Sequence, residues 1–208
     1  MTQSISECKR IGILGGTFNP IHYGHLFMAE YAREACSLDK VLFIPTGVSY
    51  MKKAADILPG EERMRMLELS IESNPYFEVS DIELKRKGNT YTFETLESLK
   101  SQYPASELFF IVGADCLFTI ENWYKPERIF ANCTLLSAGR NHAAREALEE
   151  KKKQLEKKFQ AHIILLDFPT MDISSTTIRE NMYSGKSIRY MVQEKVYDYI
   201  YRNGFYQR

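Results

Sequence analysis

The chain has 208 residues, enough for one domain with a full apolar core and a little above the usual single-domain length. Its 27 basic and 27 acidic residues cancel, which excludes the global positive field that holds a nucleic-acid backbone; a small ligand is expected, with no nucleic-acid partner, and any anion site has to be built locally from N–H groups, helix N-termini and a few side chains. Cys8, Cys36, Cys116 and Cys133 have no Cys-x-x-Cys or Cys/His ligand spacing, no apolar stretch reaches membrane-spanning length, and Met1 to Lys9 lacks a signal-peptide pattern, so zinc and a membrane partner are not expected and the expected compartment is the cytosol.

In chain order, apolar runs at Ile11 to Leu14, Val41 to Ile44, Phe77 to Val79 (with Ile82 to Leu84 open as its continuation), Leu108 to Val112, Thr134 to Ser137 and Ile163 to Leu166 predict strands. They alternate with helix-period segments at Leu26 to Ala35, Glu61 to Ser73, Phe93 to Ser101 and Glu127 to Ala131, and Asn74, Pro75 and Pro104 supply stops. Strands apolar throughout and separated by helices predict an α/β fold, a parallel sheet with helices on both faces. Ala143 to Phe159 is dense in Lys and Glu, with Leu148, Leu155 and Phe159 as a narrow apolar stripe, and reads as a solvated surface helix. Beyond the last strand, Thr176 to Tyr183 and Val192 to Arg202 predict a C-terminal helical extension over about 172–208 of a single domain spanning 1–208.

The segment Gly15-Gly16-Thr17-Phe18-Asn19-Pro20-Ile21-His22-Tyr23-Gly24-His25 joins the first strand to the first helix. Paired glycines let the backbone approach a phosphate, and the helix start adds N–H donors and a positive dipole end. It is neither a Walker loop nor a Gly-x-Gly-x-x-Gly fingerprint. His22 and His25, three residues apart, can face one side of a helical start. No third ligand stands near them, so anion contact suits the pair better than a metal, and no metal-ligating residue is assigned. Ser174 to Thr177 followed by Arg179 reads either as a helix cap, with Thr177 and Glu180 as a capping box, or as hydroxyl, N–H and guanidinium groups for phosphate oxygens. Gly113 and Asp115 follow a buried strand, where Asp115 can cap the next helix. Trp123, taken alone, reads as core or edge packing. On these assignments five strands end at suspect segments: Gly15 to His25, Thr46 to Lys53, Gly113 to Trp123, Arg140, and Ile173 to Arg179. Ligands of open α/β sheets bind at that edge.

Gly-Gly-Thr-Phe-Asn-Pro-x-His-x-Gly-His together with Ile173-Ser174-Ser175-Thr176-Thr177-Ile178-Arg179 resembles the paired signatures of the nucleotidylyltransferase superfamily. Within it, Trp123-Tyr124 after Gly113-Ala114-Asp115, Thr90-Tyr91-Thr92 and the Gly204-Phe205-Tyr206 ending are similar to the nicotinate-nucleotide adenylyltransferase branch, so the resemblance covers nearly the whole chain. It implies a Rossmann-like fold and adenylyl transfer from ATP, with Mg²⁺, to nicotinate mononucleotide in NAD biosynthesis. Nicotinamide mononucleotide or phosphopantetheine transfer and a non-catalytic nucleotide sensor remain as alternatives. His22, His25, Thr17 and Arg179 are then the catalytic candidates, and a bound triphosphate should favour charged imidazoles. Gly15, Gly16, Phe18, Asn19, Gly113, Asp115, Ile173, Ser174, Ser175 and Arg140 complete the ATP side, and Thr90, Tyr91, Thr92, Trp123 and Lys52 the pyridine side. The branch's usual Pro-Pro-His-Lys is replaced by Ser49-Tyr50-Met51-Lys52, which leaves Lys52 or Lys53 as the flexible positive charge there. A homo-oligomer is left open.

Overall fold

A computed structural model describes residues 5–47, 57–139, 142–167, 169 and 171–207. Strands β1 (Arg10–Gly16), β2 (Lys40–Pro45), β3 (Phe77–Val79), β4 (Glu107–Gly113), β5 (Thr134–Gly139) and β6 (His162–Asp167) form one sheet in the order β3-β2-β1-β4-β5-β6. Every pairing is parallel. The helices are α1 (Tyr23–Ala35), α2 (Gly60–Ile71), α3 (Thr92–Gln102), α4 (Ala114–Thr119), α5 (Pro126–Phe130), α6 (His142–Phe159), α7 (Ser175–Tyr183) and α8 (Glu194–Arg202).

The period of two along each strand sends alternate side chains into different cores. Leu14, Val41, Phe43, Phe109 and Ile111 pack with residues of α1, α2, α7 and α8, including Ala29, Leu67, Ile178 and Val196. Ile11, Ile13, Leu42, Phe110 and Leu135 pack with residues of α3 to α6, including Leu96, Leu117, Ile129 and Leu148. Strand order reverses between β1 and β4, so the crevice past the ends of these two strands is where an open α/β sheet receives a ligand.

Several sequence expectations are corrected. Ile82 to Leu84 does not continue β3: it forms a turn, with Lys85 N–H donating to Asp81 O (3.0 Å), because the Glu83 carboxylate is drawn inward to the Thr95 hydroxyl (2.8 Å). The helix α4 after Gly113 is an addition, and its N-cap is Gly113, which puts Asp115 in the first turn and not at the cap. The cap of α7 is Ser174, extended at φ −128° and ψ 150°, whose hydroxyl accepts from Thr177 N–H (3.1 Å); Thr177 and Glu180 are already inside the helix and form no capping box at its start. The charged helix α6 is solvated except for its stripe, since Leu148 and Leu155 are buried and Phe159 stacks on Phe130 (5.1 Å). Among the described residues no helix is long and apolar enough to cross a membrane.

Candidate active site

The loop from Gly16 to Ile21 leaves β1 at the topological switch point. Phe18 holds φ at 49°, an uncommon conformation for a residue with a side chain, and its ring is buried against His25 (5.0 Å) and Phe43 (6.0 Å). Three carbonyls of this loop are engaged by protein donors. Arg63 Nη1 donates to Thr17 O (2.9 Å), Arg179 Nη1 to Asn19 O (2.8 Å) and Ser175 Oγ to Pro20 O (2.8 Å). The Asn19 carboxamide oxygen in turn accepts from the Tyr206 hydroxyl (2.7 Å) and Leu58 N–H (3.2 Å).

His22 is the N-cap of α1 in extended conformation, and three residues later His25 lies in the first turn, so the two rings stack with centroids 3.7 Å apart. The His22 main-chain N–H donates to His25 Nδ1 (3.3 Å). His22 is only 6% exposed, and burial pulls its pKa down to about 4. Its Nδ1 has no protein hydrogen-bond partner among the described residues. A Cβ at Gly24 would lie 3.0 Å from that nitrogen, so the glycine between the histidines is what lets the ring lie against the backbone.

Thus Thr17, Phe18, Asn19, His22, His25, Ser175 and Arg179, from the two ends of the sequence, meet at the end of β1. Ile173 joins them through its carbonyl, 3.6 Å from where a Gly24 Cβ would stand. Ser174 caps the same helix start, and Gly15 and Gly16 are the last residues of β1. Gly113 ends β4, the neighbouring strand, and Asp115 is exposed in the first turn of α4. The other predicted group begins at α3: Tyr91 is the N-cap of the helix, Thr90 before it is buried, and Thr92 opens the helix. Trp123 is half-buried, edge-on to Phe110 (6.3 Å), whereas Tyr124 is 51% exposed with its ring 4.8 Å from Tyr91. Lys52, Lys53 and Arg140 lie outside the described residues.

Sequence reasoning passed over Arg63 and Tyr124. A lone arginine on a charged helix gives no sign of burial, and Tyr124 was read only as the second half of a pair. The one available signal for Arg63 was its phase: Met66, Leu67, Ser70 and Ile71 share its face of α2.

This fold and this loop, with its paired histidines and the arginine of α7, define a nucleotidyltransferase of the cytidylyltransferase-like class, and a family model of that description, Cytidylyltransferase-like, matches residues 13–181. A protein of Lachnoclostridium phytofermentans described as "Probable nicotinate-nucleotide adenylyltransferase" is 41% identical over 198 residues, covering 95% of this chain and 99% of that one. A Desulfitobacterium hafniense protein of the same description is 42% identical over 200 residues, with 96% of each chain covered. The chain belongs to the nicotinate-nucleotide adenylyltransferase family. Its fold also matches that of the Plasmodium falciparum nicotinic acid mononucleotide adenylyltransferase complexed with NaAD, at a TM-score of 0.78, 21% identity and coverage of 95% of this chain and 97% of that one.

Proposed function

We propose that this chain, acting as one domain over 1–208 in the cytosol, transfers the adenylyl group of ATP to the 5′-phosphate of nicotinate mononucleotide. A phosphate oxygen of the acceptor attacks the α-phosphorus, the bond from that phosphorus to the α,β-bridging oxygen breaks, and pyrophosphate leaves with the electron pair. The acceptor is already ionised at neutral pH, so neither a side-chain nucleophile nor a general base is needed, and the protein's part is alignment and charge stabilisation.

The observation that carries the reading is the loop whose Thr17, Asn19 and Pro20 carbonyls are engaged by Arg63, Arg179 and Ser175. With those oxygens taken up by the protein, a polyphosphate can approach the loop without meeting carbonyl repulsion. The histidines add donors. Two protonated rings 3.7 Å apart would repel by about 4 kcal/mol at an effective dielectric of 20, so both are not charged together. A neutral His25 that accepts at Nδ1 carries its proton on Nε2. A neutral His22 is best satisfied the same way, because a buried lone pair without a partner is less costly than a buried N–H without one. Each ring then offers an Nε2–H to the phosphates.

Mg²⁺ would arrive with ATP, held by phosphate oxygens and water, and would neutralise phosphate charge. On the acceptor side, the start of α3 at Thr90 to Thr92 suits the pyridine carboxylate, and Trp123 and Tyr124 frame the ring. Pyrophosphate release with ATP and nicotinate mononucleotide, nicotinamide mononucleotide or phosphopantetheine tests the reading. The acid should give the highest kcat/KM; equal values for acid and amide, or release with phosphopantetheine alone, overturn it.

A further inference from the structure

We propose that Arg63 is a positioning residue for adenylyl transfer, the group that sets the phosphate loop against the end of β2. The last rung between β1 and β2 joins Gly16 to Pro45, and one more main-chain bond follows, from Thr46 N–H to Gly16 O (2.9 Å). Beyond it the backbones are joined by a side chain. Arg63 Nη1 donates to Thr17 O and Nη2 to Thr46 O, both at 2.9 Å, while Nε reaches Leu58 O ahead of α2 at 2.9 Å. One planar fork therefore fixes three segments, and it does so 4% exposed and, among the described residues, without an ion pair.

A buried cation is a costly way to satisfy three carbonyls, so the geometry it imposes is the reason to keep it. That geometry includes the Phe18 turn. Fixing Thr17 O fixes the peptide plane leading into Phe18, whose positive φ is strained and needs support from its surroundings. Arg63 makes its bonds to carbonyls and acts on the substrates through Thr17.

The inference rests on the adenylyl transfer proposed above, and the same assay separates the two. Wild type, Arg63→Lys and Arg63→Ala are compared for pyrophosphate release from ATP and nicotinate mononucleotide, with the folded fraction followed by near-ultraviolet circular dichroism at 10 °C. The expected result is a kcat lowered about 30- to 100-fold per folded molecule in both variants, the size of effect expected when reacting groups are displaced by up to about 1 Å, with both KM values within about threefold. The lysine variant keeps the charge and fails as the alanine variant does, since an ammonium cannot span three carbonyls. Added guanidinium should recover activity in Arg63→Ala alone. Folded variants with kcat within about threefold of wild type overturn the inference, as does a loss carried by KM, or failure of both variants to fold, which makes Arg63 a stability residue. A wild-type chain that releases no pyrophosphate sinks the functional reading and this inference with it.

Discussion

A solvated imidazole titrates near pH 6.5, whereas His22 is shut from water at 6% exposure and titrates at about 4, with burial as the cause. The sign of the consequence follows from proton linkage. Above pH 6.5 both folded and unfolded chains hold a neutral ring, and the group contributes nothing to the pH dependence. As pH falls below 6.5 the unfolded chain takes up a proton that the folded chain refuses, so stability declines, and the decline is complete near pH 4, where the folded chain protonates too. A difference of that size corresponds to about 3 kcal/mol in full, of which about 2 kcal/mol is lost by pH 5. His22→Gln removes the titration and keeps a polar side chain. Urea unfolding at pH 7 and pH 5 should show the variant losing about 2 kcal/mol less than wild type over that interval, and equal losses would contradict the burial argument. The same surroundings explain the Gly24 between the histidines, since the added methyl of an alanine would press on His22 Nδ1 from 3.0 Å.

At the scale of elements, α7 is fastened to the loop after β1 by two side chains one turn apart. Ser175 donates to Pro20 O and Arg179 to Asn19 O, while Arg179 Nη2 also reaches Thr176 Oγ1 (3.4 Å). Both ties hold the same short stretch, so their effects should not add. Ser175→Ala alone should lower kcat about tenfold and Arg179→Lys about 100-fold, and the double variant should be closer to Arg179→Lys than to their product, a coupling of at least about 0.5 kcal/mol. Strictly multiplicative losses would mean that the two residues act independently. The six strands were legible because each is a short apolar run, and the two linked motifs were legible because their residue types and order are specific. Ile82 to Leu84 stays open at the sequence level because alternation cannot tell an apolar pair around a solvated Glu from one around a Glu turned inward to Thr95 and, at 3.4 Å, to Gly47 N–H. Arg63 stayed hidden for the same reason: sequence gives the residue and its helix phase, but the carbonyls that make its burial tolerable belong to Thr17, Thr46 and Leu58, on other segments.

Across the whole molecule, the end of the chain returns to the loop at its beginning. Tyr206 adopts φ 59°, is buried, and donates its hydroxyl to the Asn19 carboxamide across 187 positions of sequence, and burial raises its phenol pKa, which keeps it a donor over the working pH range. Asn19 is therefore held twice, at its carboxamide by Tyr206 and Leu58 and at its carbonyl by Arg179. Removing the hydroxyl leaves the ring to pack and the Leu58 N–H to serve the carboxamide. Tyr206→Phe should then cost about 1 kcal/mol, roughly 2–4 °C in Tm for a chain of this length, because the lost bond is one of two on that oxygen. Activity should fall by more than stability implies. With the carboxamide loosened, the loop between the strained Phe18 and the capping His22 is less well fixed, and kcat should drop about tenfold with KM for ATP within about threefold. Tyr199→Phe is the matched control, since its hydroxyl donates to Glu62 at 2.6 Å on the joint between α8 and α2 and not to the loop. It should lower Tm by a similar amount and leave kcat unchanged. If the two variants lose kcat alike, or neither does, the C-terminal segment supports only the stability of the fold and does not set the geometry of the loop.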